Sequence, residues 1–374
     1  MGELISPPVA FTDRSIMVVP SLQSETDIRD QFDQAIRTAS EFAEQFLLTS
    51  DNRKLLTVGT ALAHVIRPDL RTPWQPDLSG WSMLHSRGGP ENNTYKEIDY
   101  VGPEIFRRVF GNKLSNTAVY VEENERWTAS DLENNPPPNP GRLIIWDPVD
   151  GSSCIGKYNM FGEERSNIAS GMVVLDKDQQ LEFGFIISLV DDRMMVFDGE
   201  KMRYIKYQEP AGFNPWSYQE ISPPVTSANR SESAIRFATL ERRLPILKTS
   251  GLLKSLNIPV DPDHFYPSMG GEALLTLAMG NKAGYPAGES LLDVMMDPVK
   301  GQGPHEALIW LNMAKAAGLT VTSPQGFSID LKNEAKNFCC QGFEEDRDRI
   351  PYIIGKDPAV NSLIVSSLSA GKPD

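Results

Sequence analysis

The sequence predicts a two-lobed α/β protein, and three observations carry that reading. The chain of 374 residues is long enough for two packed lobes. Its first half combines amphipathic helical patterns with a run of short, apolar strand patterns separated by polar turns. Its second half alternates strand and helix patterns. The break lies near the Pro- and Trp-bearing stretch "QEPAGFNPWSYQEISPPVTSANR". It divides the chain into residues 1–215, a helical and antiparallel-sheet lobe, and residues 216–374, an α/β lobe.

In chain order, residues 26–49 read as a long amphipathic helix. Ile28, Phe32, Ile36, Ala39, Phe42 and Phe46 recur at helical spacing, and Ser24 with Asp27 resembles a capping box. The helix "RKLLTVGTALAHVI" is expected to stop at Arg67-Pro68. The following loop, residues 66–93, is rich in Pro, Gly and Trp. Its tryptophans suit either stacking on a sugar or the packing of a surface insertion. A helix is predicted from Tyr95 to Phe110. Strands follow at "TAVYVEE" and "LIIWD", then a predicted meander of "NIASGMVVLD", "LEFGFIISLV", "MMVFDG" and "MRYIKY". Beyond the break, "AIRFAT" leads to a helix near Leu244. "HFYPSM" leads to the helix "GGEALLTLAMG", and "AGYPA" to "HEALIWLNMAKAAG" and the strand "LTVTS". The second Asp-Pro-Val, at 297–299, reads as a turn, and Met295 and Met296 as core.

Composition excludes several classes. Lys+Arg is 36 and Asp+Glu is 50, so 36 − 50 gives a net charge of −14. A chain this acidic, with no basic run, is a poor partner for nucleic acid or an anionic membrane. Cys154, Cys339 and Cys340 cannot form a disulfide framework. No apolar run approaches the roughly 20 residues of a membrane span, and the first residues lack a signal peptide's apolar segment. A cytoplasmic setting is expected.

The chemistry concentrates in "IIWDPVDGSS", where an apolar strand gives way to Asp147, Asp150 and Gly151-Ser152-Ser153. Both acids are expected in the turn after the strand. Carboxylates there suit a hard divalent cation, and the backbone N–H groups after the glycine suit a phosphate. A strand-end Asx turn leading into a helix N-cap would also explain the pattern. Further acids favour the metal. Glu122 and Glu123 end the strand of "VYVEENE", Asp99 lies upstream, and Glu306 begins an apolar helix. So many carboxylates together would repel one another unless a cation joined them. His305, beside Glu306, is read as structural.

"VEEN", "WDPVDGSS" and the late acidic helix resemble the three motifs of the metal-dependent, lithium-sensitive-type phosphatase superfamily. That group includes inositol monophosphatases and fructose-1,6-bisphosphatases. The intervals agree as well: 122 − 99 = 23, and 318 − 306 = 12 to Gly318. The resemblance runs from about Thr26 to "RIPYIIGKDPAVNSLIV". It implies a layered α/β/α/β/α sandwich and two or three Mg²⁺ ions, with Mn²⁺ able to substitute. Glu122, Asp147, Asp150 and Glu306 would be metal ligands, joined by the backbone carbonyl of Val149. Ser152 and Asp99 would orient the attacking water, with Glu123 beside the additional metal. Gly151, Ser152 and Ser153 would hold the phosphate.

Details tilt toward the bisphosphatase branch. The chain has "DGSS" and His305-Glu306, and Lys300 matches a lysine that binds a sugar's distal phosphate. Cys154 stands where that branch usually has Asn. The expectation is an Mg²⁺-dependent phosphatase of a small sugar or polyol phosphate, and a homo-oligomer, dimer or tetramer. The alternatives are a phosphatase of an inositol phosphate, a 3′-nucleotide or a specialised-pathway sugar phosphate, and a non-catalytic sugar-phosphate-binding protein.

Overall fold

The computed structural model describes residues 25–71, 101–111, 114, 116–122, 128–129, 140–151, 160, 167–208, 217–222, 235–262, 264–280, 292–341 and 349–370. Among them lie two sheets. The first has eight strands: β1 (Thr117–Val121), β2 (Thr128–Ala129), β3 (Arg142–Asp150), β4 (Ala169–Asp176), β5 (Leu181–Ser188), β6 (Arg193–Phe197), β7 (Met202–Gln208) and β8 (Ser217–Ile221). Their order is β2-β1-β3-β4-β5-β6-β7-β8. β1 and β3 are parallel, and β3 through β8 form an antiparallel series. The meander predicted from the sequence is thus present, with β8 added beyond residue 215.

The second sheet comprises β9 (Phe237–Ala238), β10 (Phe265–Tyr266), β11 (Val294–Gln302), β12 (Thr320–Thr322) and β13 (Ile350–Gly355), in the order β10-β9-β11-β13-β12. It is mixed. β9 runs parallel to β10 and β11, while β13 is antiparallel to both β11 and β12. The Asp297-Pro298-Val299 segment, expected as a turn, lies inside β11. Pro298 sits where the β11–β13 register breaks between Asp297 and Gln302, so its missing N–H interrupts no ladder bond there.

Three cores define five layers. Helices α1 (Glu25–Ala43), α2 (Ser50–Arg71) and α3 (Val101–Phe110) cover one face of the first sheet. Phe42, Leu55 and Ile105 meet Ile144, Trp146, Met172, Phe183 and Phe185 there. On the opposite face Leu143, Ile145, Val173 and Ile186 meet α6 (Gly271–Met279) and α7 (Pro304–Ala316), which also touch Met295, Tyr352 and Ile354 of the second sheet. Flanking them, α8 (Leu331–Gln341) adds Ala335 and Phe338. The outer face of the second sheet packs Val294, Met296 and Ile353 on α4 (Leu244–Thr249), α5 (Leu252–Ser255) and α9 (Pro358–Ala370). This is the α/β/α/β/α sandwich. Alternation from Leu143 to Trp146 in β3, even numbers to one core and odd to the other, follows from the period of two of a strand buried on both faces.

α2 runs through Pro68 to Arg71, further than the proline suggested. Pro68 would lack only the bond to residue 64, and it lies in the last helical turn. Helix α1 ends at Ala43, before the end of its sequence pattern, and residues 95–100 of the pattern around α3 lie outside the described residues. Close approach of α2 to β5 depends on Gly59, where a Cβ would lie 2.5 Å from the Phe185 ring. No helix among the described residues is long and apolar enough to cross a membrane.

Trp310 of α7 fills the middle layer, fully buried against Gly171 of β4, where a Cβ would lie 2.2 Å from its ring. Trp310→Ala should therefore destabilise the protein by about 3–5 kcal/mol, because the cavity cannot collapse between two sheets. Urea unfolding of the variant and the parent measures this.

Candidate active site

β3 runs on through both acids, so Asp147 and Asp150 stand on the strand and not in a turn after it. Asp147 pairs with Gly171 and Asp150 with Ala169. Pro148 and Val149 of β3 thus oppose Ser170 alone on β4, which is a one-residue bulge. The parity matters. Residues three apart on a regular strand point to opposite faces, and the extra residue restores Asp150 to the face of Leu143, Ile145 and Asp147. Both carboxylates therefore face the middle helical layer. Val149 points the other way, into the first core, and its N–H donates to Asp147 Oδ1 at 3.1 Å. Gly151 closes the bulge at φ +87°, where a Cβ would sit 2.5 Å from the Asn167 carbonyl oxygen.

Glu122 reaches the same place by register. β1 is parallel to β3 with Val121 beside Trp146, so the next residues, Glu122 and Asp147, fall level. Ala118 and Tyr120 face the middle layer, and Glu122 continues their side. Glu306 comes from α7. It is the third helical residue after Gly303, whose N–H donates to Glu306 Oε2 at 3.2 Å. The preceding Gly301 has φ +76° and abuts Ile350. Its carbonyl accepts from both Arg243 and Arg349, each at 3.3 Å, and Arg243 is ion-paired at 2.8 Å with buried Asp297. That network sets where α7 begins.

His305 stands in the cluster, with Nε2 3.6 Å from Glu122 Oε1 and its ring 5.3 Å from the Tyr120 ring. Glu122, His305 and Glu306 each offer a ligand atom, all within 4.8 Å of one another. Electrostatics reveal the strain. Burial raises Asp150 well above its ordinary value; Glu306, Glu122 and Glu272 push it further, against the Gly271 N–H. Burial also raises Glu306, with help from Glu122, while His305, the Gly303 N–H and Arg349 pull against it. Burial pushes Glu122 up too, but His305 and Asp147 together carry it below its ordinary value. These are carboxylates held close with little positive charge among them. Their oxygen donors and excess negative charge fit a divalent cation.

One contact to the cluster comes from a residue outside the acids and hydroxyls singled out above as ligands. α6 opens at Gly270, φ +78°, and the Gly271 N–H donates to Asp150 Oδ2 at 2.7 Å. A Cβ on Gly270 would lie 2.0 Å from that oxygen. The Gly-Gly pair opening an apolar helix was the available clue, since adjacent glycines permit close backbone approach. Lys300 is exposed near the end of β11, its N–H donating to Asp297 Oδ1 at 3.3 Å. Asp99, Glu123, Ser152 and Ser153 lie outside the described residues, as does the 72–93 part of the Trp-bearing loop.

The same fold occurs among solved structures of other proteins. Among solved structures, the chain is similar to an inositol monophosphatase–fructose 1,6-bisphosphatase, with 14% identity and TM-score 0.52 over 86% of this chain and 100% of that one. It is also similar to the extragenic suppressor protein SuhB of Bartonella henselae, with 15% identity and TM-score 0.50 over 77% and 91%. No family model and no curated protein sequence matches the chain.

In the metal-free protein, Asp150 binds its proton more tightly when folded than when unfolded. Its charge therefore opposes folding as pH rises from its ordinary value of 3.8 through the raised folded value. Asp150→Asn should leave stability below that window nearly unchanged. Above it, the variant should melt higher than the metal-free parent. Melting curves in chelator across pH measure both.

Proposed function

We propose that the chain is a divalent-metal-dependent phosphoric monoester hydrolase acting on a small sugar or polyol phosphate. The observation that carries this reading is the bulge in β3. It turns Asp147 and Asp150 to one face, level with Glu122 and opposite Glu306. Glu122, Asp147, Asp150, Glu306 and the Val149 carbonyl would hold two or three Mg²⁺ ions, or Mn²⁺ in their place. Bound there, the ions would supply charge neutralisation and a water of lowered pKa.

The chain's own groups do the rest. The N-termini of α6 and α7 open at the acids, so their N–H groups add positive potential where an anionic phosphate would lie. Gly151, Ser152 and Ser153 follow the bulge directly, and their N–H groups would hold the phosphate. The Ser152 hydroxyl, paired with Asp99, would orient the attacking water and relay its proton to the Asp99 carboxylate, with Glu123 as the neighbouring acid. The reaction needs no covalent phospho-enzyme. Its acceleration comes from position and fixed charge.

Hydrolysis measured over a panel of phosphomonoesters with Mg²⁺ tests the reading. Turnover should need added Mg²⁺ or Mn²⁺ and vanish in excess chelator; undiminished turnover there would overturn it. Asp147→Asn should remove one ligand charge and lower kcat by more than about a hundred-fold, beyond the effect typical of an outer-shell partner. Near wild-type turnover would remove Asp147 from the site.

Within this reading we assign Lys300 to a distal phosphate, as in the bisphosphatase branch. If the best substrate carries two phosphates, Lys300→Ala should mainly raise KM, by about ten- to a hundred-fold for a lost charge-assisted contact of about 1.5–3 kcal/mol. A monophosphate should be much less affected. Steady-state kinetics of both proteins decide between these outcomes.

A further inference from the structure

Outside the acid cluster lies a second ionic network that the proposed chemistry does not use. Arg193 opens β6 and is 1% exposed, and Glu272, in the first turn of α6, is 0% exposed. The Arg193 Nε donates to Asp191 Oδ2 at 2.7 Å. Its Nη1 donates to Thr276 Oγ1 at 3.1 Å and to the Gly280 carbonyl at 3.0 Å, and its Nη2 to Glu272 Oε1. Residues 272, 276 and 280 are four apart, so they form one stripe along α6. A single guanidinium thus holds the first turn, the middle and the end of this helix to the β5–β6 hairpin. Burial of these charges is costly unless every group is paired in good geometry, so the network tolerates little displacement.

That helix touches the site at its other side. Immediately before Glu272, the Gly271 N–H bonds Asp150 Oδ2, and Gly270 approaches that oxygen so closely that no Cβ fits between them. A shift or rotation of α6 therefore displaces the Asp150 carboxylate. We propose that Arg193 is a positioning residue for Asp150: by anchoring α6 along its length through Glu272, Thr276 and Gly280, it sets the place of the backbone that aims the carboxylate. This rests on the metal-site reading of Asp150.

The test is Mn²⁺ binding, measured by calorimetry on the full chain without substrate, at a temperature where each variant is fully folded. Arg193→Lys keeps a positive charge but cannot present the guanidinium's fixed fork to these acceptors at once. The expected result is a dissociation constant raised about ten- to a hundred-fold, the range for losing a partner that orients a ligand. A purely architectural role predicts a lower melting temperature with an unchanged dissociation constant, and that result would overturn the proposal. Should Arg193→Lys yield no folded protein, the combined Asp191→Asn, Arg193→Met and Glu272→Leu variant removes the buried charges together, and the same two outcomes apply. Asp150→Asn separates the two levels. Wild-type Mn²⁺ affinity in that variant would overturn the metal assignment and this inference with it. Weakened binding there, alongside unchanged binding in Arg193→Lys, would overturn the positioning role alone.

Discussion

One extra residue in β3 organises the candidate site. Without the bulge, Asp147 and Asp150 would fall on opposite faces of the sheet, one in the middle layer and the other among the apolar side chains under α1 to α3. The bulge brings both to the middle layer, while Val149 takes the apolar place. Two further constraints are built on it. β1 must be parallel to β3 and in register for Glu122 to stand level with Asp147. α6 and α7 must begin opposite the bulge for Gly271 and Glu306 to meet Asp150.

The middle layer explains why such a concentration of charge is possible. A carboxylate placed in an apolar core loses its hydration and needs partners. Here each site helix is secured by a buried arginine. Arg193 secures α6, and Arg243, with Arg349, secures the bend that leads into α7. Their own charges are answered by Asp191, Glu272 and Asp297. The acids of the site itself are left with raised proton affinities at Asp150 and Glu306. The charges of the supports are thus paired, while negative potential is left unrelieved at the cluster. That asymmetry separates a candidate metal centre from a surface acidic patch, where solvent would screen the repulsion.

Much of the fold was legible because its signals are local and periodic. The meander from β4 to β7 showed itself through short polar turns between apolar runs. α7 showed itself through an uninterrupted apolar helix behind Glu306. Local signals also misled. Asp-Pro-Val at 297–299 looks like a turn, yet it lies within β11, at a break in its pairing with β13 that accommodates the proline. The same Asp-Pro-Val pattern at 147–149 hides a strand that continues through both acids.

By itself the sequence singled out Glu122, Asp147, Asp150 and Glu306 as candidates and roughly which elements they begin or end, because acids interrupting apolar runs break a pattern that packing otherwise enforces. It also carried the superfamily resemblance through short motifs at set intervals. Only the tertiary structure decided which carboxylates share a face, since parity across a bulge depends on pairing with β4 and leaves no mark on the residues of β3. It alone placed His305 beside Glu122 and the Gly270-Gly271 backbone against Asp150, contacts that cross 183 and 121 positions of chain. It alone joined Arg193 to α6, because the partners of a buried charge are chosen by three-dimensional proximity, which no local pattern encodes.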